Sequence, residues 1–81
     1  MYLEVITPEK KIYEGTVISA TFPGVDGSFQ VLKKHAPMIS TCTLGLVKIK
    51  TANEEKTFTI DGGVVEVLKN KVVLLAEKIV A

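Results

Sequence analysis

Eighty-one residues allow one small domain, and 47% hydrophobic with 23% charged residues is the mix of a folded globular chain, not a disordered one. Ten basic residues face nine acidic ones for a formal charge of +1, so no bulk electrostatic attraction defines the function. All ten are lysines, and without arginine there is no guanidinium fork for phosphate or guanine, which argues against nucleic-acid binding.

The apolar spacing reads as strands along nearly the whole chain. Leu3 and Val5 alternate with Glu4, and Thr7-Pro8-Glu9 turns the chain toward Ile12 and Gly15. Ile18, Ala20 and Phe22 hold one phase of the next strand while Val17, Ser19 and Thr21 hold the other. Pro23-Gly24-Val25-Asp26-Gly27 is a turn, since proline presets φ and glycine permits positive φ. Ser28 to Leu32 follows as a short strand, broken by Lys33-Lys34-His35-Ala36-Pro37, and Met38 to Leu44 is strand-like. Val47 and Ile49, then Phe58 and Ile60, alternate on either side of Ala52-Asn53-Glu54-Glu55 as a hairpin. Asp61-Gly62-Gly63 reads as a turn into Val64 to Leu68, and Asn70 turns into Val72 to Val80. Turn signals about every eight to twelve residues point to a single all-β domain over residues 1–81, an antiparallel β-sandwich.

Val64 to Leu68 and Val72 to Leu75 are rich in apolar residues in both side-chain phases. One face of an antiparallel sheet ordinarily meets water, so a second apolar face implies a cover, and a partner subunit supplies it most simply. The mean hydropathy of +0.32 agrees. The longest apolar run, Val72 to Ala76, is far short of the roughly 20 residues of a membrane helix. Met1-Tyr2-Leu3-Glu4 has no signal-peptide character, so a soluble cytoplasmic chain is expected.

Chemistry finds little to work with. His35 is the only histidine; no serine sits in a G-x-S-x-G elbow, and no acid lies near it in sequence, so it reads as a turn histidine. One histidine and one cysteine, Cys42, cannot furnish a zinc site, and Cys42 reads as a small buried hydrophobe. Glu54-Glu55 fall in a hairpin loop beside Lys56, a solvated turn. Gly24 to Gly27 and Gly62-Gly63 lack the lysine and hydroxyl residue of a phosphate loop. The expectation is a non-catalytic chain with no catalytic residue, cofactor, metal or small-molecule substrate.

Several motifs fall in one order: Leu3-x-Val5-x-Thr7-Pro8-Glu9, Gly15, Pro23-Gly24-x-x-Gly27-x-Phe29, Leu32-x-x-His35-Ala36-Pro37, Gly45, Gly62-Gly63 and Val72-x-x-Leu75-Ala76. In series they resemble the epsilon subunit family of the F-type rotary ATP synthase, over essentially the whole chain. The resemblance implies a sandwich of about ten short strands at the foot of the central stalk. It implies binding to the gamma subunit on one side and to the c-ring at one end, coupling ion flow to ATP synthesis. It also implies a peripheral position on the cytoplasmic face of a bacterial plasma membrane, with no membrane insertion. Relatives commonly continue into a C-terminal helical hairpin, and the chain is expected to lack it, stopping at Ala81. Carried over by position, Ser28, Lys33, Lys34 and His35 are the ring-facing candidates, and Ser40, Gly45 and Leu46 the gamma-facing ones. Ser28 stands where relatives often have an acidic residue, and Lys33-Lys34 where they have Pro-Gly, which changes the charge of that segment. A free-standing sandwich adaptor that binds another protein is the alternative, and a small His-dependent hydrolase comes third.

Overall fold

The computed structural model describes residues 1–80, which form seven strands and no helix. In chain order these are β1 (Tyr2–Ile6), β2 (Lys11–Thr16), β3 (Ser19–Gly24), β4 (Gly27–Leu32), β5 (Met38–Lys50), β6 (Glu55–Leu68) and β7 (Lys71–Ala76). They make one continuous sheet in the order β2-β1-β7-β6-β5-β3-β4. That sheet is folded over on itself into two layers. One layer joins β2, β1 and β7 to the C-terminal half of β6 and the N-terminal half of β5. The other joins β4 and β3 to the remaining halves of β5 and β6. Residues 77–80 run along the outer edge of β6 in this second layer, with Ile79 bridged to Ile60.

A single core fills the space between the layers. Leu3, Val5, Val65, Val67, Val72 and Leu74 come from the first layer; Ala20, Phe22, Val31, Val47, Ile49 and Ile60 come from the second. All twelve are essentially inaccessible to water. Burying each large aliphatic chain contributes about 1.5–3 kcal/mol, which is what holds the layers together. Phe22 and Phe29 add a tilted aromatic pair, 5.6 Å between centroids.

Two sequence expectations need correction. The strands number seven rather than about ten, because Asp61-Gly62-Gly63 is no turn. β6 continues through it for 14 residues, paired in one register with the 13-residue β5 on both sides of it. What changes there is the phase. In β6 the inward residues are Phe58 and Ile60 before the glycines but Gly63, Val65 and Val67 after them. In β5 they are Met38, Ser40 and Cys42, then Gly45, Val47 and Ile49, with Thr43 and Leu44 both outward. The register does not slip across the break, since Cys42 still faces Gly63 and Leu44 still faces Asp61. Gly62 at φ 88° and Gly63 at φ 151° supply the backbone shape that L-residues rarely adopt. The sheet is also mixed rather than antiparallel, because β1 and β7 pair in parallel. The β6–β7 hairpin and the chain start both lie at the same end, where the Tyr2 amide donates to the Asn70 carbonyl at 3.1 Å, so both strands leave in the same direction. Apolar alternation reports which face a residue takes but not which way its strand runs.

Gly63 at the corner and Gly27 in the β3–β4 turn make a graded test. A Cβ on Gly63 would sit 2.5 Å from the Leu75 carbonyl oxygen, whereas one on Gly27, also at positive φ, meets nothing within 4 Å. Gly27→Ala is expected to cost only backbone strain, on the order of 1 kcal/mol, and Gly63→Ala at least about 2 kcal/mol more. Urea midpoints of the two variants measure the difference; equal costs would contradict the corner's role.

Candidate interaction surfaces

The strand directions sort the surface into two ends. At one end lie the β2–β3 link, the Lys33–Pro37 loop, the Thr51–Glu54 turn and the Lys69-Asn70 turn. At the other lie the Thr7–Lys10 turn, Val25-Asp26 and the β5–β6 corner. The structure therefore divides the ring-facing candidates. Lys33, Lys34 and His35 share the first end, while Ser28 is the second residue of β4 at the other, about 16 Å away at about 3.3 Å per strand residue.

The first of these ends is braced. The His35 amide donates to the Leu32 carbonyl at 3.1 Å, closing a turn in which Lys34 has φ 64°. The Lys34 amide donates to Asn70 Oδ1 at 3.1 Å, tying that turn to the β6–β7 turn, where Lys69 and Asn70 also have positive φ. His35 Nδ1 lies 2.7 Å from the Ala36 carbonyl oxygen and donates to it, the backbone role expected of a turn histidine.

The gamma-facing candidates separate as well. Ser40 is half-buried on the inward phase of β5, opposite Val65. Gly45 lies where β3 crosses closest, since a Cβ there would come 2.6 Å from Pro23 Cβ. Leu46 is exposed beside Leu44 on the outside of the second layer. A further exposed apolar surface is one the positional carry-over missed. On the outside of the first layer Val64 pairs with Leu75, which pairs with Ile6 on its other side. Ile39, Leu68 and Val73 continue that face around Glu66, and Ile39 at 73% exposure is the most exposed large apolar residue. The doubled apolar phase of β6 and β7 was its signal in the sequence, with Val65, Val67, Val72 and Leu74 turned inward and Val64, Leu68 and Leu75 outward.

Beside this apolar area runs an ionic strip on β1, β2 and β7. Glu4, only 13% exposed at its side chain, receives Lys11 Nζ and Lys71 Nζ at 2.8 Å each. Lys11 also reaches Glu14 at 3.2 Å, and the Tyr2 hydroxyl donates to Glu14. Hydrogen bonds from Lys11, then Lys71, pull the Glu4 carboxyl down to about 2. The Tyr2 hydroxyl and Lys11 lower Glu14 likewise. Cys42 is buried, and that burial pushes its thiol up, so it is a poor nucleophile. Grooves exist between Thr7–Lys10 and Glu77–Ile79, about 520 Å³, and between Pro37–Ile39 and Glu66–Leu68, about 370 Å³. Neither gathers a nucleophile, a base and an orienting acid.

Known proteins with this pattern point one way. The family model for the β-sandwich domain of the ATP synthase delta/epsilon chain matches residues 1–81. An ATP synthase epsilon chain of Chlorobium limicola is 40% identical over 78 residues, covering 95% of this chain and 89% of that one. One from Leptospira borgpetersenii is 37% identical over 75 residues, 93% of this chain and 59% of the longer relative. Among solved structures, a chain of the Tetrahymena thermophila mitochondrial ATP synthase central stalk and c-ring superposes with a TM-score of 0.84 at 20% identity. The match covers 99% of this chain and 65% of that one. A chain of the Euglena gracilis mitochondrial enzyme gives 0.89 at 18% identity, covering 96% and 51%.

The ionic strip sets a pH dependence. Glu4 and Glu14 hold their protons less tightly in the folded state than in the unfolded one, so their contribution is complete above the unfolded value of 4.5. It is lost as pH falls through the folded values, toward about 2 for Glu4. Thermal unfolding followed from neutral to acid pH is expected to show stability dropping in that window, with Glu4→Gln flattening the drop. An unchanged acid slope in the variant would contradict the assignment.

Proposed function

The chain belongs to the β-sandwich family of ATP synthase delta/epsilon chains, and on that premise we propose that it docks gamma with its first-layer outer face and the c-ring with one end. It is a non-catalytic subunit of the rotor stalk, and its work is to join two moving parts without yielding. The observation that carries this reading is the contiguous apolar area of Ile6, Ile39, Val64, Leu68, Val73 and Leu75 on a domain already closed around its own core. An exposed patch rimmed by polar groups is the signature of a protein interface. The ionic strip of Glu4, Lys11 and Glu14 forms such a rim.

The apolar face runs without a break to the Lys33–His35 end, because Leu68 leads directly into Lys69 and Ile39 follows closely on Pro37. A partner seated on the face therefore reaches that end too. This supports giving the ring the opposite end, the one bearing Ser28, and giving the Lys33, Lys34 and His35 segment to gamma. The ring-facing set carried over from relatives is thereby reduced to Ser28. The position of this stalk at the cytoplasmic face of a bacterial membrane follows from the same reading.

Site-directed cross-linking tests both halves, and the buried Cys42 leaves an introduced cysteine as the reactive one. Photoreactive labels on Val64→Cys and Ser28→Cys are carried into the reconstituted synthase. The Val64 label is expected to give a gamma adduct and the Ser28 label a ring-subunit adduct. A Val64 label that reaches no gamma, or a Ser28 label found only on gamma, contradicts the respective half.

A further inference from the structure

We infer that the lysine-bearing end is the electrostatic margin of the gamma docking face and receives an acidic surface of that subunit; the inference rests on the docking proposed above.

The domain's charge of +1 conceals a strong separation between its ends. The loop end carries five lysines, Lys33, Lys34, Lys50, Lys69 and Lys71, against two glutamates, Glu54 and Glu55. Those two acids already face Lys56 at 3.9 Å and Lys48 at 3.6 Å. Lys71 is engaged with Glu4. Among the described residues Lys33, Lys34, Lys50 and Lys69 have no ion-pair partner. The opposite end is reversed, with Glu9, Asp26, Asp61 and Glu77 outnumbering Lys10, Lys11 and Lys78, and Lys11 is engaged with Glu4 and Glu14.

The lysines are also fixed in place at an energetic cost. The non-glycine residues at positive φ are Lys34, Lys69 and Asn70, all in the two turns that the Lys34–Asn70 hydrogen bond ties together. Glycine would occupy those backbone positions without strain, so local folding alone does not call for lysine there. What lysine adds is a charge held on a rigid platform. The groove between Pro37–Ile39 and Glu66–Leu68 connects this platform directly to the apolar face. An apolar centre with a one-signed charged margin is the arrangement that speeds encounter with an oppositely charged partner. Glu66, in the middle of the face, is the exposed acid that this margin surrounds.

The test is association of the domain with purified gamma, measured as separate rate constants at low and high salt. Lys34→Glu with Lys69→Glu is expected to slow association roughly tenfold at low salt and to reverse its salt dependence. Dissociation is expected to change less than about threefold. Lys34→Gly with Lys69→Gly removes the same charges and relieves the same strain, so it is expected to raise the melting temperature while still slowing association. Val64→Asp, in the apolar centre, is expected to act on dissociation instead. If Val64→Asp weakens binding but neither lysine pair alters the association rate or its salt dependence, docking on the face stands and the charged margin is wrong. If none of the three changes binding, the docking face itself is wrong and the margin falls with it.

Discussion

The molecule depends on one ribbon turning a corner without slipping its register. β5 and β6 stay in register from Met38 opposite Val67 to Lys50 opposite Glu55, yet their inward phase changes where Thr43-Leu44 pass Asp61-Gly62. Two consecutive outward residues on one strand, Thr43-Leu44, lie beside Asp61-Gly62 on the other, and Gly63 turns inward opposite Cys42. That geometry needs positive φ at both glycines and room for the Leu75 carbonyl against Gly63. A chain of this length buries a smaller fraction of its surface than a larger domain does, so apolar surface for the core is scarce. Sharing one ribbon between both layers lets Val65 and Val67 on one side and Val47, Ile49 and Ile60 on the other close a single core.

This economy shapes what the surface can do. Because the same two strands carry both layers, the outer face around Val64 and Leu75 and the end around Ser28 belong to one stiff body. A load applied at one is carried to the other through covalent chain and paired backbone, without a hinge. That property suits a non-catalytic subunit of the rotor stalk and the docking proposed for it. The side chains agree: Cys42 is held as a buried thiol, His35 spends its Nδ1 proton on a backbone carbonyl, and the clustered acids of the ionic strip are neutralised by Lys11 and Lys71.

Much of this was legible before any coordinates. Alternation in Leu3/Val5, Ala20/Phe22, Val47/Ile49 and Phe58/Ile60 marks the core, and the doubled phase of Val64 to Leu75 marks the exposed apolar face, since burial follows side-chain period. The corner was not legible, because Asp61-Gly62-Gly63 has the composition of a turn and only pairing with Thr43-Leu44 makes it a phase break. The parallel β1–β7 pair was hidden because alternation carries no direction. The ring-facing candidates separate for a similar reason: Ser28 and His35 are close in sequence, but the intervening strand carries them to opposite ends. Lys50 and Lys69 joined Lys34 at one end only once the topology was known.

Native-state hydrogen exchange tests the shared ribbon most directly. Protected amides in the Met38–Cys42 and Gly63–Leu68 halves and in the Leu44–Lys50 and Glu55–Asp61 halves are compared at increasing denaturant. One body predicts that the most protected amides of both layers exchange through the same opening, with the same free energy and the same denaturant dependence. Protection lost in one layer at a clearly lower free energy, with the other still closed, would contradict the account.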